Sequence, residues 1–141
     1  MKSHLKREPA VLYLDANVFI YAAINTEELG EKSAALLKKI QLGKEKAETS
    51  ALTYDEVFWA VKKHDLKLAF EACEALLNFP NLEIIPADRE LASSALQLIR
   101  ECHLDTRDAL HAATALREKA DYVVSTDPHF DRVKQLKRRS L

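Results

Sequence analysis

The stretch "AVLYLDANVFIYAA", from Ala10 to Ala23, sets an aspartate and an asparagine between two apolar runs. "AVLYL" is short and has no helical period, as expected of a strand buried on both faces. "ANVFIYAAI" continues as a short helix, so Asp15 stands at the carboxyl end of the strand. A carboxylate there is costly unless hydrogen bonds, a partner charge or a metal compensate for its lost hydration. The rest of the chain is therefore read for companions to Asp15.

The same grammar recurs downstream. "ELGEKSAALLKKIQLG" carries a broad apolar stripe through Ala34, Leu37 and Ile40 and predicts an amphipathic helix ending at Gly43. "AETS" is a weak strand, followed by a helix from about Leu52 to His64 that Ser50 could cap. "LKLAFEACEALLNF" is a further helix, stopped by Pro80. "LEIIPA" is a strand, followed by the helix "DRELASSALQLIREC" with Asp88 as its cap. "LDTRDALHAATALREKA" is a helix rich in alanine on one side, and "DYVVST" is a continuous apolar strand ending at Asp127. Short buried strands alternating with helices imply a parallel sheet covered on both faces. Ligands of such sheets sit outside the carboxyl ends of the strands, where Asp15 and Asp127 would both stand.

Bulk composition narrows the class without choosing the function. At 141 residues, 48% hydrophobic and 30% charged, the chain reads as one globular domain over residues 1–141, with residues 1–9 expected to be a flexible lead. The longest apolar run, Val18 to Ile24, is too short to cross a bilayer. "MKSHLKREPA" has no apolar signal core, so a cytoplasmic protein with no membrane partner is expected. Cys73 and Cys102 are expected to be small core residues rather than a disulfide. The net charge of −1 neither supports nor excludes RNA, although "LKKIQLGKEK" and "RVKQLKRRSL" are locally basic.

Four acids form the candidate constellation, and each also has an ordinary structural role open to it. Asp15 could cap the following helix. Glu56 lies on an otherwise apolar stripe beside Phe58 and Trp59, with Asp55 a competing candidate that periodicity does not separate from it. Asp108 could be the third-position acid of a helix capped by Asp105. Asp127 could close an Asx turn ahead of Pro128. The inference rests on the set: four carboxylates in one cleft repel one another unless cations bind, and all-oxygen clusters select Mg²⁺ or Mn²⁺. One or two such ions would suit the in-line hydrolysis of a phosphodiester.

"YLDANVFIYA", "TSALTYDEVFWAV", "DTRDALHAATAL" and "DYVVSTDPHF", in this order, resemble the PIN-domain family, and most of all the VapC-type toxins of toxin–antitoxin pairs. The resemblance runs from about Val11 to Val133. It implies a three-layer α/β/α fold with a central parallel sheet, and cleavage of RNA with Mg²⁺ or Mn²⁺ to 5′-phosphate and 3′-hydroxyl ends. It makes Asp15, Glu56, Asp108 and Asp127 the metal-binding and catalytic acids. Asn17 matches a polar position that holds Asp15 or a metal-bound water, and Ser125 matches a small hydroxyl residue before the last acid. His129 stands where many relatives have a further acid, and could contact phosphate. A cognate antitoxin and a homodimer are the partners implied besides RNA. The broad apolar surface of "LKLAFEACEALLNF" fits either deep burial or such a contact.

The resulting expectation is a metal-dependent endoribonuclease, the toxin of a type II toxin–antitoxin pair. A stand-alone RNA-processing nuclease is the alternative, as is a PIN-like module that binds RNA or protein without cutting. Two other chemistries fit less well. A zinc site from Cys102, His103, Asp108 and His111 would need adjacent residues to point the same way. A phosphatase using Asp15 as nucleophile would want a second aspartate where Asn17 stands.

Overall fold

A computed structural model of the chain describes residues 9–141, so most of the lead expected over residues 1–9 lies outside the described residues. The elements run β1 (Val11–Leu14), α1 (Ala16–Ile24), α2 (Glu28–Gln41), β2 (Lys46–Ser50), α3 (Thr53–Lys62), α4 (Leu66–Leu77), β3 (Leu82–Ile85), α5 (Arg89–Cys102), α6 (Thr106–Arg117), β4 (Tyr122–Val124) and β5 (Arg138–Arg139). A 3₁₀ turn over Pro128–Arg132 joins the last two strands. All strands pair in parallel, in the order β3-β2-β1-β4-β5. This is the α/β architecture expected, with helices on both faces of a central parallel sheet.

The pleat of β1 divides the core. Leu12 and Leu14 pack with Val18 and Phe19 of α1, Val57 and Val61 of α3, and Ala69 and Leu76 of α4. Tyr13, between them, faces Leu91 and Ala95 of α5 and Ala109 and Ala112 of α6 on the opposite side. Alternate residues of one strand thus anchor both helical layers, which is why the run reads as continuously apolar. Close packing at the α1–α2 corner fixes how α1 leaves the sheet. A Cβ on Gly30 would stand 1.9 Å from the Asn25 carbonyl oxygen, while Asn25 Oδ1 accepts the N–H groups of Glu27 and Gly30.

Capping follows the sequence at most helix starts. Asp65, Asp88 and Asp105 cap α4, α5 and α6 with their side chains. Ser50 does not cap α3 as expected: the residue before that helix is Leu52, and Ser50 Oγ instead accepts the Leu52 N–H in a local turn. The weak "AETS" segment is a full strand, and the short β5 within the basic tail was not foreseen. On α4 only Ala69, Cys73 and Leu76 are buried, while Leu66, Phe70 and Leu77 are exposed, so deep burial does not explain that helix. Both cysteines are free, Cys73 buried and Cys102 partly so. Among the described residues no helix is long and apolar enough to cross a membrane.

The sheet grows outward from β1 in two directions, through β2 and β3 on one side and through β4 and β5 on the other. The crevice between β1 and β4 at their carboxyl ends is the topological switch point, where open parallel sheets bind ligands. Asp15 follows β1 and Asp127 follows β4, so both lie at that crevice.

Candidate active site

The first half of the site is buried. Asp15 is 5% exposed and caps α1, its Oδ1 accepting the Ala16 N–H at 2.7 Å and its Oδ2 accepting the Ser125 hydroxyl at 2.6 Å. Burial pushes its carboxyl above the ordinary range, and Glu56 adds to this. His111, the Ser125 hydroxyl and the Ala16 N–H act against it. Glu56 enters from the first turn of α3, and its Oε1 lies 2.6 Å from Nε2 of His111. The same nitrogen stands 3.5 Å from Asp15 Oδ1. Asp15, Glu56 and His111 can bring one donor atom each within 4.8 Å of one another, close enough to share one cation.

The second half opens to solvent. Asp108, in the first turn of α6, lies beside Asp127, and His129 Nδ1 stands 3.0 Å from Asp127 Oδ1 and 3.9 Å from Asp108 Oδ2. These three also converge within 4.8 Å. Burial, then the charges of Asp127 and Asp15, push the Asp108 carboxyl up to about 7, and a hydrogen bond with Asp127 contributes. A carboxyl raised in this way marks a site short of positive charge.

Ser125 joins the halves. Its hydroxyl donates to Asp15 and accepts the Asp127 N–H at 2.9 Å, and Asn17 Nδ2 approaches it at 3.3 Å. Asn17 also donates to Thr126 Oγ1 at 3.0 Å, a hydroxyl shared with Tyr21. Asp127 closes an Asx turn by accepting the His129 N–H. Arg138, on β5, donates to the Ser125 carbonyl and pairs with both oxygens of Asp131. The loop that carries Asp127 is thereby held from three directions.

Residues 12–136 match the family described as PIN domain. The chain belongs to the PIN-domain family. By sequence, no curated protein matches it. By structure it is similar to VapBC2 from Rickettsia felis, solved bound to a DNA fragment from their promoter. That match has a TM-score of 0.72 and 19% identity, and covers 93% of this chain and 98% of that one. It is also similar to VapC20 of Mycobacterium tuberculosis, a Sarcin-Ricin loop cleaving toxin, with TM-score 0.70, 14% identity and coverage of 85% and 92%. FitAcB from Neisseria gonorrhoeae follows at 0.68 and 22%, covering 90% and 95%. At these identities the likeness is one of fold.

Within this PIN fold the four acids and the three supporting residues expected from sequence, Asn17, Ser125 and His129, all reach the same crevice. Asp55, the rival of Glu56, turns outward to Arg107, 3.5 Å away. Of the two roles expected for Asn17, holding Asp15 or a metal-bound water, the first is indirect: its amide reaches Ser125 and Thr126, and Ser125 in turn bonds Asp15. Its Oδ1 is buried without a partner. The zinc alternative fails in space. His103 caps α5 in a left-handed conformation, with φ 55°, and neither it nor Cys102 joins a metal-capable group among the described residues. Sequence reasoning missed His111 as a site member, and Tyr13 with it. The available signal was a histidine one turn past Asp108, on the alanine face of α6.

Proposed function

We propose that this chain is a Mg²⁺- or Mn²⁺-dependent endoribonuclease and the toxin of a two-component pair, acting as one domain in the cytoplasm. One observation carries the reading. Asp15, Glu56, Asp108 and Asp127 converge at the switch point of a PIN fold, and the Asp108 carboxyl is pushed up to about 7 by burial and then by its acidic neighbours. The donors suit hard cations: four carboxylates make up most of two groups, Asp15, Glu56 and His111, and Asp108, Asp127 and His129. A bound Mg²⁺ or Mn²⁺ would supply charge neutralisation, activation of water and stabilisation of the leaving oxygen.

The chain's own residues do the rest. Ser125 and the Ala16 N–H hold Asp15 in one orientation. Asp108 and Asp127 would hold a cation, whose charge would draw off the proton that the raised Asp108 carboxyl keeps. The half-exposed His129, at the mouth, can offer an N–H to a phosphate oxygen. The absence of a paired serine or cysteine nucleophile among these residues supports direct attack by water.

The toxin reading is supported by neighbours solved as VapBC and FitAcB complexes. An apolar groove between α1, α2 and α4, lined by Phe19, Ala23, Leu37, Leu68, Leu76 and Phe79, offers a seat for an antitoxin helix. Exposed Trp59, Leu66, Phe70 and Leu77 on α3 and α4 suit contact with a second copy.

The test is cleavage of structured and single-stranded RNAs by the purified chain with Mg²⁺, Mn²⁺ or EDTA, beside Asp15→Asn. Cutting should vanish in both EDTA and the variant. Equal residual activity in wild type and D15N would assign the cutting to a contaminant and sink the nuclease reading.

A further inference from the structure

The buried imidazole of His111 is not accounted for by an all-acid site. It belongs to α6, is 2% exposed, and has a partner on each ring nitrogen. Nδ1 lies 2.6 Å from the Tyr13 hydroxyl, and Nε2 lies 2.6 Å from Glu56 Oε1. The Tyr13 oxygen in turn accepts the Ser50 backbone N–H at 3.2 Å, and the two rings meet edge to face at 5.6 Å. The chain of bonds thus runs from the end of β2, through β1 and α6, to the first turn of α3.

Counting donors assigns its direction. Tyr13 oxygen already accepts from Ser50, and its own proton has one neighbour to meet, Nδ1 of His111. With Nδ1 accepting, the ring proton sits on Nε2 and points to Glu56, whose carboxylate can only accept. The opposite arrangement, with Nε2 bare and free to bind a metal, would leave Tyr13 accepting twice and its buried proton without an acceptor. An unmade buried hydrogen bond of that kind is strongly disfavoured. His111 therefore faces the site as a donor to Glu56 and not as a ligand.

We propose that His111 is a positioning residue of this site: its Nε2–H holds the Glu56 carboxylate in the metal-facing orientation, and the Tyr13 hydroxyl locks the ring for that task. Glu56 needs such help because it comes from the opposite helical layer to Asp108 and its side chain is 22% exposed. The other link between α3 and α6 here, Asp55 with Arg107, has both side chains more than half exposed and holds little. The role deepens the metal-nuclease reading and rests on it.

Two readouts separate this role from ligation and from mere packing. In the metal-free wild-type protein, ¹⁵N-resolved NMR of His111 should show a slowly exchanging Nε2–H hydrogen-bonded to a carboxylate. Mn²⁺ titrations should then show His111→Leu, which fills the space without a donor, binding about 10–100-fold more weakly than wild type. His111→Gln carries an amide N–H to nearly the same depth and should recover most of that loss. The electron spin echo of the Mn²⁺-loaded wild type should lack the modulation of a directly bound ¹⁴N. A bare Nε2 in the NMR, a directly bound ¹⁴N, or a leucine variant that binds Mn²⁺ like wild type would each overturn the proposal. A protein that shows this leucine–glutamine split but cuts no RNA would refute the nuclease reading while leaving the positioning role in place. Failure of the wild type to bind Mn²⁺ at all would remove both.

Discussion

The raised carboxyl of Asp108 gives the most quantitative handle on the site. Burial and the charges of Asp127 and Asp15 push the Asp108 carboxyl up to about 7, so the metal-free pair holds a proton through the mildly acidic range. A cation that takes both carboxylates must displace it. Apparent affinity should therefore fall tenfold per pH unit below 7 and level off above it. Between pH 7.5 and 5.5 the ionised fraction drops about 25-fold, which corresponds to ~2 kcal/mol of binding free energy. Calorimetric titration with Mn²⁺ in two buffers of different ionisation enthalpy counts the protons directly. Roughly 0.9 should be released per ion at pH 6 and roughly 0.1 at pH 8. The sign for folding runs the other way from a salt-bridged aspartate. The folded chain binds this proton more tightly than the unfolded chain, so the metal-free stability it contributes is full below pH 3.8 and is lost as pH rises toward 7. Saturating Mn²⁺ should restore it, and Asp108→Asn should abolish both the proton release and that part of the pH dependence. Affinity constant within twofold from pH 5.5 to 7.5, or no proton released at pH 6, would refute the assignment.

Three further outcomes are expected. Glu48, 4% exposed on β2 with Oε1 unpartnered, is pushed up to about 7 by burial and by Glu118 and Glu83, with Lys46 opposing. Glu48→Gln should stabilise the fold by about 2–3 kcal/mol at pH 8 and by almost nothing at pH 4.5, read from urea unfolding at both pH values. Ser125→Ala removes the donor to Asp15 and the acceptor for the Asp127 N–H, so it should cost about 2 kcal/mol in thermal unfolding and weaken Mn²⁺ binding as well. Arg138→Ala should leave global stability within about 0.5–1 kcal/mol, because its partner Asp131 is more than half exposed. It should also speed amide exchange of residues 125–131, whose loop loses its tie through the Ser125 carbonyl.

What the sequence made legible is what local chemistry controls. The strand at Val11–Leu14 announces itself because both faces of it are covered, and Asp15 stands out because nothing near it in sequence explains a buried carboxylate. The aspartate caps of α4, α5 and α6 follow from the same short-range rules. β2 was faint because its buried residues include Glu48, Thr49 and Ser50, polar side chains whose environment is supplied by distant segments. Thr49, for instance, donates to the Leu14 carbonyl, 35 positions away. β5 was illegible because two arginines become a strand only through pairing with the edge of β4. His111 had only a faint local signal, its place one turn past Asp108, because its partners, Tyr13 and Glu56, lie 98 and 55 positions away. For Asn17 the resemblance implies a hold on Asp15 or on a metal-bound water, and the first turn of α1 turns its amide toward the loop after β4.

Four carboxylates at one crevice ought to work against folding, and the bonds on each explain why the metal-free chain tolerates them. Asp15 has a backbone N–H and a hydroxyl, Glu56 has an imidazole N–H, and Asp108 keeps a proton beside Asp127. These are partners of unequal permanence. The Ser125 and His111 bonds can persist beside a bound cation, whereas the Asp108 proton would have to leave. The fold thus presents a rigid half, built on Asp15 and Glu56, and a half that is charged only when a cation arrives. Neutral isosteres should then separate folding from function. Asp108→Asn removes the mutual repulsion and should stabilise the metal-free chain at pH 8, while weakening its hold on Mn²⁺. Such opposite signs at one residue are what a site selected for binding, rather than for stability, requires.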